Sequence, residues 1–286
     1  MRVLVLGATG SIGTAVSAEL HAHGHRIIAL ARSDTAAALV ASLGYEVLRG
    51  DIRHPADWAG AVANVGAVIH LASTFGDDMG EIDRRILRLL HDKATAPLRL
   101  IYTGGCWLYG ATGDRIATED SAFDPIAAFD WAPENAVYAL SAPRYQTAIL
   151  HPAMVYHRAG GIFGDFVREA RDTGRITLWG TKNVRWPLVH RDDLARAYRL
   201  MLERPDLTGH FNASAETGIR IRTIAGAIFD QLGAKPRISH SPIAPIMERY
   251  GDWAFGCTLD QQMAAPRLRA AGWHPRHTDF RASPLV

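Results

Sequence analysis

The chain is poor in lysine and cysteine, and it has no long apolar run. Only Lys93, Lys182 and Lys235 among its 31 basic residues are lysines, so almost all of its positive charge is arginine. Two cysteines, Cys106 and Cys257, do not make a disulfide framework. No apolar stretch reaches the ~18 residues that suggest a membrane-spanning helix. Neither sign of charge is in excess: 31 Lys and Arg against 29 Asp and Glu leave +2. That balance points away from nucleic acid and membrane surfaces as partners. Internal repeats and low-complexity tracts are also missing. The first apolar run begins at Met1, which leaves no room for a cleavable signal, and a soluble cytoplasmic protein is expected. Its 286 residues, 48% of them hydrophobic, suit one large α/β domain or a domain with a smaller lobe.

What is present is concentrated at the start. Met1 to Leu6 is a short apolar run, followed at once by Gly7-Ala8-Thr9-Gly10-Ser11-Ile12-Gly13. A helical stripe (Ile12, Val16, Leu20) comes next. A second apolar run, Arg26 to Leu30, ends in Ala31-Arg32-Ser33. Strand, glycine turn, helix and strand in this order make a dinucleotide-binding unit. Gly7 allows the tight turn, Gly10 lets backbone approach a pyrophosphate, and Gly13 lets helix and sheet pack closely. The phosphates are expected over Thr9, Gly10, Ser11, Ile12 and Gly13, at the positive end of the helix. An acidic residue at the end of the second strand would suit the ribose of NAD(H). This chain has Arg32 there, with Ser33 beside it, which favours NADP(H) over NAD(H). Asp34 follows, so dual specificity stays open.

Further strands are expected at Glu46–Arg49, Gly66–Leu71, Leu98–Tyr102 and Tyr145–Leu150. Helices are expected at Asp83–His91 and Pro133–Leu140. Apolar runs separated by helices predict an α/β fold, a Rossmann-type doubly wound parallel sheet. Beyond residue 150 the pattern breaks up, with helices expected at Asp165–Asp172, Asp192–Glu203, Ile221–Leu232 and Leu259–Ala271. The reading is a dinucleotide-binding domain over 1–150 and a smaller C-terminal substrate lobe over 151–286 whose segments interleave with the first.

A run of motifs carries a family resemblance. Gly50-Asp51-Ile52 is similar to an acidic element that contacts adenine. Val68-Ile69-His70-Leu71-Ala72-Ser73 is similar to a strand-four motif beside the cofactor. Tyr102 to Gly110 resembles a strand-five segment, and His151-Pro152-Ala153-Met154-Val155-Tyr156 one that packs on the nicotinamide. Arg185 to Ala195 looks like a V-H-x-x-D-L-A element, and Gly272-Trp273-His274-Pro275 a usual C-terminal ending. With the G-x-x-G-x-x-G spacing, they identify the chain as similar to the extended and atypical branches of the short-chain dehydrogenase/reductase superfamily, the epimerase/dehydratase relatives. The resemblance implies a nicotinamide cofactor held by Gly7 to Gly13, Asp51, Ile52, Leu71, Ala72, Ser73, Pro152, Ala153 and Met154. The chain departs from the pattern at the acid/base pair, Tyr-x-x-x-Lys. No lysine lies between Lys93 and Lys182, and the expected place, Asp124 to Trp131, holds no tyrosine.

The hydroxyls left near the expected nicotinamide are Thr103 and Tyr156, and these are the catalytic candidates. Each has a plain alternative: Thr103 as a strand-end residue bonding backbone, Tyr156 as the family's structural tyrosine. Trp107, Trp131, Phe163, Phe166 and Trp186 fall on segments expected to face the substrate, with Arg185 as an anchoring charge. Cys106 reads as a small buried residue. His21, His23 and His25 straddle a helix end and read as imidazoles at its negative pole, without a metal. The expected function is an NADP(H)-dependent oxidoreductase acting on a small organic carbonyl, alcohol or imine. A sugar-nucleotide epimerase or dehydratase and a non-catalytic NADP(H)-binding sensor are the alternatives. The expected partner is a small-molecule substrate, and the chain is expected to be a monomer or homodimer.

Overall fold

The computed structural model describes residues 1–158, 160–181 and 183–286. In chain order its elements are β1 (Arg2–Leu6), α1 (Ser11–Ala22), β2 (Arg26–Ala31), α2 (Asp34–Ser42), β3 (Glu46–Arg49), β4 (Ala67–His70), α3 (Met79–Lys93), β5 (Leu98–Thr103), α4 (Ala132–Ser141), β6 (Tyr145–Pro152) and β7 (Met154–His157). Then come α5 (Gly161–Thr173), β8 (Ile176–Trp179), β9 (Arg185–His190), α6 (Arg191–Glu203), β10 (Gly209–Ala213), β11 (Glu216–Arg220), α7 (Ile221–Leu232), β12 (Ile238–Ser241), α8 (Ile243–Tyr250) and α9 (Pro266–Ala270). The chain forms two compact units, each assembled from three segments. Unit 1 is Met1–Gly104, Trp131–Leu150 and Leu194–Phe211; unit 2 is Gly105–Asp130, His151–Asp193 and Asn212–Val286.

Unit 1 is built on a seven-stranded sheet in the order β10-β6-β5-β4-β1-β2-β3. From β6 to β3 every neighbouring pair is parallel. The strands read as continuous apolar runs because a parallel sheet is covered on both faces; β4 and nearly all of β1 and β2 are buried. Strand order reverses between β1 and β4, the switch point beside which such sheets bind ligands at the strands' carboxyl ends. Leu6 pairs with His70 and His70 with Tyr102, so those ends lie level along one edge.

Two local contacts fix this unit. A Cβ on Gly13 would overlap the Gly7 carbonyl oxygen and stand 2.8 Å from its carbon and 2.9 Å from Ala8 Cα. The start of α1 therefore lies directly against the turn that leaves β1. The other contact is Arg99 on β5. Its buried guanidinium donates to the carbonyls of Met201 (3.1 Å from Nε) and Leu207 (2.8 Å) at the end of α6, and to that of Gln146 (3.0 Å). A cation is favoured at a helix carboxyl end, but burial still lowers its pKa to about 10.

Unit 2 holds a three-stranded sheet, β11-β9-β7, and the parallel pair β12-β8. Its core is aromatic. Tyr156 stacks on Phe163 at 4.9 Å between ring centroids, Phe163 meets Phe280 edge-on, and Phe166 stacks on Trp186. Only five residues of the expected Leu259–Ala271 helix form one. Pro266 starts it, and the preceding stretch is extended: Gln261 N donates to Arg185 O, Met263 N to Thr217 O, and Ala264 N to Ala117 O. The elements β7 to β12, α2 and α8 were not anticipated from sequence.

The tight approach of Gly13 has a direct test. Gly13→Ala is expected to cost about 3 kcal/mol or more, or to prevent folding, because backbone rather than a flexible side chain must move. Gly10→Ala meets only the Gly7 carbonyl oxygen, at 3.3 Å, and is expected to cost less than about 1 kcal/mol. Denaturant midpoints of the two variants check this; equal costs would mean the turn relaxes freely.

Three groups of unit 2 predict its pH dependence. His190 is buried, stacked 3.8 Å from the ring of His277, and its pKa is lowered from 6.5 to about 4 by burial first and by that imidazole second. His157 shifts the same way. Between pH 6.5 and 4 the unfolded chain takes up the His190 proton and the folded chain does not, so that stability contribution is lost as pH falls, and His157 acts in the same direction. Glu216 is the opposite case: burial raises its pKa from 4.5 to about 7. Its contribution is full below pH 4.5 and lost as pH rises through 7. The two limbs, each of about 1–2 kcal/mol, oppose one another, and the wild-type melting temperature is expected to vary little between pH 5 and 7. Glu216→Gln should leave stability rising with pH across that window, and His190→Gln should leave it falling. Thermal unfolding in a pH series decides; the same slope in both variants would refute the assignment.

Candidate dinucleotide-binding site

The turn between β1 and α1 has the geometry that the glycine spacing predicts. Gly7 has φ +90°, and a Cβ there would stand 2.9 Å from Ala72 N and 3.0 Å from Leu71 C. Only glycine fits on both counts. Leu71 N donates to Leu6 O at 2.9 Å, so the Leu71-Ala72-Ser73 segment lies beside the turn. Gly10 N donates to Gly7 O at 3.0 Å, and Gly10 accepts the first helical bond, from Thr14 N, at 3.0 Å. Thr9, Gly10 and Ser11 are exposed, Ile12 is half-buried and Gly13 is buried. No side chain caps α1 at Gly10, and its first turn holds no acidic residue. Nothing negative on α1 itself offsets its positive end, as an anion site requires.

Next along the edge are Arg32 and Asp51. Arg32 follows β2 with its side chain 73% exposed, and its Nε is 3.9 Å from Asp51 Oδ2. The neighbouring acid is engaged elsewhere, since Asp34 pairs with Arg49 at 2.8 Å. Ser33 caps α2: its Oγ accepts from Ala36 N at 3.1 Å and keeps its own proton to donate. Asp51 is held by its backbone, its carbonyl accepting from Trp58 Nε1 at 2.7 Å, while its Oδ1 accepts from Arg53 N at 2.9 Å. Ile52 packs on the core. Ser73 uses its Oγ to accept from Phe75 N, a residue with φ +53°.

On the other side of the switch point, Thr103 ends β5 half-buried, its Oγ1 2.7 Å from the hydroxyl of Tyr198 on α6. Trp131, expected to line a substrate pocket, instead packs on α3: a Cβ on Gly80 would stand 2.6 Å from its Cγ. One turn later Asn135 donates to Asp83 Oδ2 (2.8 Å) and to Gly80 O (3.1 Å), and accepts from Arg84. Asp83, on the buried stripe of α3, also accepts from Tyr102 at 2.6 Å and lies 2.9 Å from His70 Nε2. This stretch of α4 is thus committed to α3.

The candidates in unit 2 are mostly interior. Pro152, Ala153 and Met154 are buried around the junction of β6 and β7, with Ala153 N donating to Ala213 O at 2.9 Å. Tyr156 is fully buried between Phe163 and His190, and burial pushes its phenol up to about 12. It packs the core and presents no hydroxyl to solvent. Phe163, Phe166 and Trp186 are core residues as well. Trp107 alone of the unit 2 aromatics expected to face substrate is half-buried, stacked on Trp253 at 6.1 Å. Arg185 is not a free anchoring charge, because its guanidinium grips Asp260 at 2.9 and 2.6 Å and reaches Asp114 at 3.1 Å. Cys106 is buried, its thiol pushed up to about 12 by desolvation, far from a reactive thiolate.

Among the described residues no group of three or more His, Cys, Asp or Glu side chains is placed to hold a metal. His23 Nδ1 donates to Glu19 O at 2.7 Å, and His25 lies 3.3 Å from Glu203. Also among the described residues, no helix is long and apolar enough to cross a membrane. Trp58, Asp83, Asn135 and Tyr198 were missed from sequence. Only Asp83 left a signal, as a charge on the apolar stripe of α3.

Comparison with known proteins agrees with this fold. The chain is 26% identical over 287 residues to the uncharacterized protein YLL056C of Saccharomyces cerevisiae, covering 96% of this chain and 95% of that protein. The crystal structure of Thermus thermophilus UDP-glucose 4-epimerase in complex with NAD superposes with a TM-score of 0.82 at 20% identity, covering 100% and 97% of the two chains. Human epimerase family protein SDR39U1 with NADPH superposes with a TM-score of 0.81 at 21% identity, covering 99% and 98%. These two structures share the fold. The model of the NAD-dependent epimerase/dehydratase family matches residues 3–214, as the motifs anticipated, and the chain belongs to that family.

Proposed function

We propose that this protein is an NADP(H)-dependent oxidoreductase acting on a small organic carbonyl, alcohol or imine. The observation that carries the reading is the β1–α1 turn: three glycines that cannot carry a side chain or leave open backbone, and a helix end without a side-chain cap at Gly10 or a first-turn acid. A pyrophosphate fits that chemistry. We assign the dinucleotide to residues within 1–150 and substrate recognition chiefly to the interleaved lobe within 151–286. Arg32, just after β2, is an exposed cation, and Asp34, the acid nearest in sequence, is paired with Arg49. These two facts favour the 2′-phosphate of NADP(H). When bound, the nicotinamide supplies or accepts hydride, and the protein orients the partners and handles the proton. Thr103, at the end of β5, is the hydroxyl we assign to the substrate oxygen or nitrogen.

Titration of NADPH and NADH by tryptophan fluorescence tests the cofactor assignment. NADPH is expected to bind about tenfold more tightly, or better, and Arg32→Ala should weaken NADPH by a similar factor while leaving NADH within about twofold. Equal affinities, or an unchanged NADPH affinity in the variant, would refute it. Gly10→Val should fold and bind neither cofactor, since its side chain projects from the exposed turn. Thr103→Val is expected to lower kcat by about a hundredfold in NADPH-dependent reduction of a carbonyl and imine panel, with cofactor affinity retained. Full turnover in that variant would return Thr103 to a structural role.

A further inference from the structure

Tyr198 lies in the middle of α6, fully buried, and the hydroxyl of Thr103 is 2.7 Å away. Among the described residues no other side chain or backbone group bonds to it. Burial pushes its phenol well above the ordinary tyrosine range, so it keeps its proton. A buried phenol has one proton, and leaving it unbonded costs about 1–3 kcal/mol. Thr103 differs: its hydroxyl both donates and accepts, it is only half-buried, and it stands at the carboxyl end of β5.

We propose that Tyr198 donates to Thr103 Oγ1 and thereby acts as a positioning residue, leaving the Thr103 proton to be donated to a carbonyl, imine or alkoxide acceptor at the strand end. The opposite arrangement, Thr103 donating to Tyr198, leaves the phenol proton stranded inside the unit and Thr103 with only lone pairs to offer. Donation into Oγ1 also polarises the Thr103 O–H bond, since hydrogen bonds in a chain strengthen one another. The pair thus provides an oriented neutral donor in a chain without the Tyr-x-x-x-Lys pair. The assignment rests on the proposed function for its consequence in turnover, but not for its geometry.

Neutron diffraction from deuterium-exchanged crystals reads the geometry directly. The expected map places the Tyr198 deuteron on the line to Thr103 Oγ1 and the Thr103 deuteron off that line. A Thr103 deuteron on the line overturns the proposal whether or not the protein turns over any substrate. The kinetic test is a double-mutant cycle on NADPH-dependent reduction. Tyr198→Phe should lower kcat about tenfold with the Kd for NADPH within about twofold of wild type, and it should add nothing in a Thr103→Val background. An equal tenfold loss in both backgrounds would mean that Tyr198 acts through packing, and would also overturn the proposal. Failure of the wild type to bind NADPH would sink the proposed function alone, because the neutron result stands apart from it.

Discussion

The constraint on which unit 1 depends is a backbone contact, not a side-chain one. The start of α1 at Gly13 lies on the carbonyl of Gly7, and Gly7 in turn lies on the backbone of Leu71 and Ala72. One turn, one helix and the exits of two strands are thereby locked at the switch point of the sheet. Everything proposed for the dinucleotide follows from that lock. It aims the helix end along the strand edge, keeps side chains off the turn, and sets Arg32 and Thr103 on either side of β1. Neighbouring strands stand about 4.8 Å apart, so the end of β5, two strands away, lies about 10 Å from the turn.

Reading a contact of this kind from sequence works because glycine reports on backbone geometry. A position where even a methyl group collides excludes every other residue, so spacing alone gives the turn and its place after β1. The apolar runs of β1, β2, β4, β5 and β6 were legible for a related reason, since strands covered on both faces have no polar phase to confuse them. The short strands and helices of unit 2 lack such a signature. Leu259–Ala271 shows the failure: its composition suits a helix, but pairing with the carbonyls of Arg185, Thr217 and Ala117 draws its first half into extended conformation. Nothing local in the sequence announces those partners.

The candidate site was half legible for similar reasons. The glycine turn packs against α1 and against Leu71 and Ala72, as its spacing anticipates. Residues chosen for their side-chain chemistry fared differently. Phe163, Phe166, Trp186 and Tyr156 satisfy one another in the interior of unit 2, and Trp131 is spent on Gly80. Aromatic rings carry the largest apolar area of any side chain and go first to the core. Tyr198 could not be found from sequence, because its importance lies in what stands 2.7 Å away on a strand some hundred residues earlier.

The scarcity of lysine now has a physical counterpart. Arg99 serves several carbonyls at once, Arg185 spans two carboxylates, and Arg84 joins Asn135 to Glu134. Each task needs several donors in one plane, which a guanidinium has and an ammonium lacks. These three arginines are therefore structural, tying elements of the fold to one another. Those ties also explain why Arg185, the charge expected to face substrate, cannot do so without leaving Asp260 and Asp114 unpaired. Arg32 is the contrast. It is exposed, and its nearest acid, Asp51, stands at 3.9 Å, too far for a hydrogen bond. A side chain so lightly held contributes little to the fold, and it keeps its donors for the phosphate contact proposed above.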